Sequence, residues 1–204
     1  MARTIKGNEY AIQSYIFTTA KYDFNAYEKR IMYRLVEFAQ DEIRGIMIRD
    51  NLHKITPTLF GREITMPVAD ILRNEKDQNY TIAKNAFRSL AQKGIEYEDD
   101  EIWQYTSIIL SPKIDKIKGF VIFTVVDDIW KCLLDFTKGY RKYELITAMQ
   151  FKSVYSMRMY ELLSGQTRPL DCSFEVLKER FKLKDKYSKV NDFKRWVLDT
   201  AKKE

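Results

Sequence analysis

The sequence predicts a mainly α protein with β-hairpin wings, an α+β fold of two tandem winged-helix (helix-turn-helix) domains. The second domain is expected to stop short of its wing. Three observations lead there. Helical periodicity recurs in three segments and is followed by two β-rich stretches around a polar turn, the order of a winged helix. The same helical pattern then begins again in the last third. Charge divides the chain at the same place: residues 138–204 hold 16 Lys and Arg against 9 Asp and Glu, whereas residues 1–137 hold 19 against 20. Such asymmetry joins a polyanion-facing module to a nearly neutral one.

Taken in order, a polar, basic N-terminal segment leads into DFNAYEKRIMYRLVEFAQDEI, where Tyr27, Ile31, Leu35 and Phe38 recur at helical spacing. Asp23 or Asn25 is its expected N-cap, and Gly45 closes the helix or the turn after it. Residues 46–66, with β-branched residues and Pro57, read as irregular chain or short strands. ITMPVADILRN reads as a strand end feeding a short helix, with Pro67 in its first turn. NYTIAKNAFRSLAQKG predicts a strong helix whose apolar face is Ile82, Ala83, Ala86, Phe87 and Leu90, with Gly94 as its stop. A hairpin follows, IWQYTSIILSP and GFVIFTVV joined by the polar turn KIDKIKG.

After the short amphipathic DDIWKCLLDF, the order starts over. KSVYSMRMYELLSG is a helix with Tyr155, Met159, Leu162 and Leu163 as its stripe, SFEVLKERFKL is a helix capped by Ser173, and KYSKVNDFKRWVLDTAKKE carries Phe193, Trp196, Val197 and Ala201 on one face. RIMYRLVEFA resembles SMRMYELLSG, and NAFRSLAQKG resembles DFKRWVLDTAKK. The simplest meaning of this weak self-similarity is two copies of one module. The first domain is expected over 1–137. The second, 138–204, is expected to be the main DNA-binding domain, incomplete because it ends where a wing should begin. With no low-complexity linker, the boundary near Thr137–Arg141 should be a close junction.

Several functions are excluded by composition. Hydrophobic residues make up 45% and aromatics 14%, enough for packed cores rather than disorder. No apolar run approaches the roughly 18 residues of a membrane span, and the N-terminus lacks a signal-peptide stretch. A soluble cytoplasmic protein is expected. Two cysteines 40 residues apart and one histidine supply neither a disulfide framework nor a zinc site. None of the seven glycines precedes a lysine, so no phosphate-cradling Gly-Lys loop exists. DNA-nicking chemistry needs paired histidines beside a tyrosine. The protein should be no enzyme, with no cofactor and no metal.

The basic stretch from Lys182 to Arg195 is the candidate site. It holds Lys182, Lys184, Lys186, Lys189, Lys194 and Arg195 against only Asp185 and Asp192. A turn leads into a helix anchored by Phe193, Trp196 and Val197, which places Lys194 and Arg195 near the N-terminal end of its exposed face. That is where a recognition helix presents base-reading and phosphate-binding groups to the major groove. Lys186, Tyr187, Ser188, Lys189 and Asn191 add phosphate contacts. In the first copy the equivalent helix offers Tyr80, Thr81, Lys84 and Arg88, with Asn79 and Asn85 beside them, for lighter contacts.

These residues resemble the iteron-binding plasmid replication initiator family. Its Ser-x-x-Tyr-Ser-x-Arg-x-Tyr-Glu-Leu-Leu helix is matched by Ser153, Tyr155, Ser156, Arg158, Tyr160, Glu161, Leu162 and Leu163. Its entry to the second recognition helix is matched by Tyr187, Asp192, Phe193, Lys194 and Arg195. The resemblance implies DNA contacts at Lys189, Lys194 and Arg195, and binding to double-stranded origin repeats in a bacterial, plasmid-associated setting. It also implies origin opening by monomers, recruitment of the host initiator and helicase, and repression of the protein's own gene by a homodimer joined through the first winged helix. A winged-helix transcriptional regulator without a replication role is the alternative, and an interaction module using winged helices as scaffolding is a third reading.

Overall fold

A strand, β1 (Tyr10–Ser14), and a short helix, α1 (Tyr15–Thr19), precede the helix that the periodicity puts first. The computed structural model describes residues 10–44, 53–72, 80–98, 101, 103–137 and 139–204. Of the two expected caps for α2 (Ala26–Ile43), Asn25 is the one used. Its side chain accepts from the Tyr27 and Glu28 amides, and Glu28 reaches back to the Asn25 amide. This reciprocal box satisfies donors that a helix start otherwise leaves free. Ile31, Leu35 and Phe38 are buried as expected, but so are Met32, Tyr33, Val36 and Ala39. α2 is therefore the central post of the larger core. Gly45 lies outside the described residues.

The stretch before Pro67 forms strands β2 (Lys54–Thr58) and β3 (Gly61–Pro67), an antiparallel hairpin with Pro57 on the edge strand, where a missing amide is tolerated. Gly61 has φ +148, and a Cβ there would sit 2.0 Å from the Val125 carbonyl oxygen. Only glycine lets β3 approach its neighbour so closely. A single 3-10 turn, Val68–Ile71, follows Pro67, and α3 (Tyr80–Ala91) buries Ala83, Ala86, Phe87 and Leu90.

Two expectations about the hairpin region need correction. Gly94 does not stop the helix; it opens β4 (Gly94–Glu98), where a Cβ would lie 2.4 Å from the Tyr105 ring. Nor is IWQYTSIILSP one strand. It breaks into β5 (Trp103–Ser107), which pairs with β4, and β6 (Ile109–Asp115), which pairs with β7 (Phe120–Val126). The predicted hairpin is β6–β7, and it joins the earlier one in a four-stranded sheet of order β2-β3-β7-β6. Alternation puts Val121, Phe123 and Val125 of β7 into the core, where Phe123 meets Phe87 of α3 at 5.3 Å. α4 (Asp127–Leu134) follows, burying Ile129, Trp130 and Leu133.

A strand that periodicity does not show comes next: β8 (Tyr140–Glu144), antiparallel to β1. It leads to α5 (Leu145–Gln150) and α6 (Val154–Leu163). The larger apolar cluster crosses residue 137, taking in Tyr143, Leu145, Ala148, Met149 and Met157. A smaller cluster is built on Leu162, Phe181, Leu183, Phe193 and Val197. α6 serves both. Met157 and Tyr160 face the larger cluster, Tyr155, Met159 and Leu162 the smaller. Leu163 is corrected out of the predicted stripe, since it is 48% exposed. Then come α7 (Phe174–Arg180), with Ser173 accepting from the Val176 amide as its cap, and the terminal helix. That helix runs as α8 (Val190–Phe193), a π-helical turn over Lys194–Leu198, and α9 (Asp199–Lys202). Among the described residues no strand follows Glu144, and no helix is long and apolar enough to cross a membrane.

Candidate nucleic-acid interface

Phe193 and Val197 hold the terminal helix to the smaller cluster, 1% and 0% exposed, with the Phe174 ring edge-on to Phe193 at 5.1 Å. Everything between and before them on the other side is in solvent: Lys186, Ser188, Lys189, Asn191, Lys194 and Arg195 are all exposed. Trp196 departs from expectation. The sequence puts it on the buried face, yet it is 53% exposed. The physical reason is the π turn, which adds a residue to the helical circuit between the two anchors and so turns Trp196 outward. There it lies under Arg195, whose guanidinium is 5.2 Å from the ring. The contact holds a long, otherwise free side chain at the helix surface.

Tyr187 is placed differently from its neighbours. Its backbone is left-handed, φ +53, and its ring packs half-buried on the smaller cluster, so it closes the turn rather than projecting from it. Burial, together with a hydrogen bond to Tyr187, pushes the Tyr155 phenol up to about 12 from 10.0. A raised phenol favours the neutral form in the fold. The associated stability is therefore whole below pH 10 and lost as pH rises towards 12. Tyr187→Phe is expected to bring the Tyr155 titration, followed by NMR of carbon-labelled tyrosine, back towards 10. An unmoved titration would uncouple the two hydroxyls.

Lys184 of the basic stretch, with lysines outside it, shapes the turn. Lys178 donates to the Lys184 carbonyl at 3.0 Å, and the Lys184 ammonium lies 3.3 Å from Glu179. Lys21 of the first half donates to Glu179 at 2.5 Å. That bond, then Lys184, holds the Glu179 carboxyl below its usual range. Glu179 thus ties the turn to the other half of the protein.

In α3 the residues Tyr80, Thr81, Lys84 and Arg88 are all exposed, on the side opposite Ala83, Phe87 and Leu90. The structure adds what periodicity misses. Lys84, Phe87 and Arg88 share a groove of about 460 Å³ with Pro112, Ile114 and Lys116 of the β6–β7 hairpin. Helix and hairpin therefore present one surface. Asn79 lies outside the described residues.

The Ser156–Arg158–Glu161 part of the α6 motif is buried and touches no surface. Arg158 stacks on Tyr22 at 3.8 Å and donates to the Tyr22 and Ala20 carbonyls, while its other face meets Phe181 at 4.9 Å. Glu161 pairs with Lys29 of α2 at 2.8 Å, both fully buried, and accepts from Gln13 at 3.1 Å. The motif joins the two halves.

Two family models match the chain. One, described as initiator replication protein, WH1, matches residues 10–164; the other, initiator Rep protein, WH2, matches residues 173–204. Among solved structures, the Pi initiator protein in complex with iteron DNA is similar at a TM-score of 0.67 and 17% identity, covering 97% of this chain and 85% of that one. No curated protein matches the chain in sequence. At that identity the structural likeness speaks for the fold, two winged helices in tandem.

Proposed function

This chain belongs to the initiator replication protein family, and on that premise we propose that it binds repeated duplex sites at a replication origin. The observation that carries the reading is the solvent-facing edge Lys186–Arg195, held in place by Phe193 and Val197. A helix of this kind enters the major groove, with Arg195 for base edges and Lys186, Ser188, Lys189, Asn191 and Lys194 for phosphates. The exposed face of α3 adds Tyr80, Thr81, Lys84 and Arg88 as contacts of the first domain. Residues 138–204 supply most of the affinity, and residues 1–137 supply lighter contacts and the pairing surface of a homodimer that represses the protein's own gene. Bound monomers recruit the host initiator and helicase. The protein acts by binding rather than by catalysis, and does so inside a bacterial cell.

Selection from a pool of random 30-base-pair duplexes tests this directly (a length of about three helical turns). One sequence is expected to emerge, and the logarithm of its binding constant should fall with the logarithm of salt at a slope of about −3 or steeper, as three or more cations displace counterions. A pool that stays random at low salt would overturn the reading.

A further inference from the structure

We propose that Ile117, at the tip of the β6–β7 hairpin, is an apolar wedge that enters the DNA minor groove beside the α3 contact, with Lys116 and Lys118 on the flanking phosphates. The inference rests on the reading of the chain as a duplex-binding protein and adds a contact which that reading does not assign.

Ile117 is 98% exposed, the most solvent-facing large apolar side chain among the described residues. A lone exposed isoleucine is ordinary on a protein surface. What sets this one apart is how it is held. The Asp115 carboxylate accepts from the Ile117 amide at 3.0 Å and the Lys118 amide at 2.9 Å. The Gly119 amide closes the turn on the Asp115 carbonyl at 2.8 Å, with Gly119 at φ +73. The Gly119 carbonyl in turn accepts from Val68 at 2.9 Å, tying the hairpin to the turn that follows β3. The apolar side chain thus stands at the point of a turn that is bonded on both sides, an arrangement that loses little entropy on insertion.

Its surroundings identify the partner. Lys113, Lys116 and Lys118 are all exposed around it. The acid between them, Asp115, is folded back onto its own turn, and the Lys118 amide bond foremost holds its carboxyl below the ordinary range. The tip also adjoins the helix proposed to meet DNA: a Cβ at Gly119 would stand 3.1 Å from the Tyr80 hydroxyl, and Lys116 lines the groove shared with Lys84 and Arg88. An apolar point set in a ring of cations and rigidly joined to a polar helix face matches a polyanion with an apolar interior. Duplex DNA is such a molecule. A helix with its side chains, about 10–12 Å across, fits the major groove of about 12 Å, whereas only a hairpin point fits the minor groove of about 6 Å. Apolar side chains placed there part a base step and bend the duplex.

The test uses the full chain and the duplex recovered by the selection above, with 2-aminopurine placed in turn at each step of the flank covered by the first domain. Unstacking brightens this base. The parent protein is expected to brighten one step, and Ile117→Ala to abolish that signal and weaken binding about tenfold with the salt slope unchanged. Ile117→Lys should restore affinity and steepen the slope without restoring the signal. A dark flank with the parent protein, or Ile117→Ala binding and brightening like the parent, would overturn the wedge. If Lys194→Ala still weakens binding in that case, duplex binding survives and only the wedge falls. A parent protein that recovers no duplex overturns both.

Discussion

Replacing Lys29 with Met is expected to destabilise the protein by about 3–5 kcal/mol, read as a shift of the urea midpoint at unchanged slope. Lys29 and Glu161 are fully buried and 2.8 Å apart. Around the ammonium are the rings of Phe17, Tyr22 and Tyr33 at 4.9, 4.9 and 5.0 Å, and it donates to the Tyr22 hydroxyl at 2.7 Å. Glu161 also accepts from Gln13, which itself receives the Tyr143 hydroxyl. Removing the lysine strands a carboxylate in an apolar site, and the cost is that of an uncompensated charge rather than of a lost contact. The double variant Lys29→Met with Glu161→Leu should recover much of the loss, because it removes both desolvation penalties together. A single variant as stable as the parent would show that water or another cation reaches the site. Since Glu161 lies on α6, which touches both apolar clusters, the defect should loosen the whole molecule.

Lys194→Ala with Arg195→Ala is expected to act in the opposite way, on binding and not on folding. Each is exposed, so stability should change by no more than about 0.5 kcal/mol. Affinity for the selected duplex should fall by about 1–3 kcal/mol for a base-reading Arg195, with Lys194 weakening binding on all sequences alike and flattening the salt slope by about one. Arg195→Lys should not rescue, since an ammonium keeps the charge but loses both the fork geometry and the stacking on Trp196. Unchanged affinity in the double variant would move the recognition surface away from this helix.

Much of the fold could be read from local pattern. The α2 helix with its Asn25 cap, the α3 face of Ala83, Ala86, Phe87 and Leu90, and the β6–β7 hairpin all lie where period and turn chemistry place them. So do the exposed Lys194 and Arg195, because Phe193 and Val197 at a spacing of four mark the opposite side of a helix, while Lys189 is exposed as the residue that caps it. What escaped is non-local. β8 is a polar strand, YRKYE, with one buried side chain, and it becomes a strand only because β1 lies beside it, 130 residues away at the Gln13–Tyr143 contact. Gly94 looks like a helix stop until the Tyr105 ring is seen to occupy the space of its side chain. Trp196 reads as core because nothing local announces the π turn.

By itself the amino-acid order determines the modules and the charge. Periodicity, caps and turns act within a few residues, and a cluster of lysines repels burial wherever it falls. The tertiary structure alone decides which polar groups are sealed inside. Arg158 and Glu161 look like surface residues of an amphipathic helix, yet two cores close on α6 at once, and a charge so enclosed must find Lys29, Tyr22 or a backbone carbonyl. Such pairings depend on chain segments that meet only after collapse, so no window of sequence contains them.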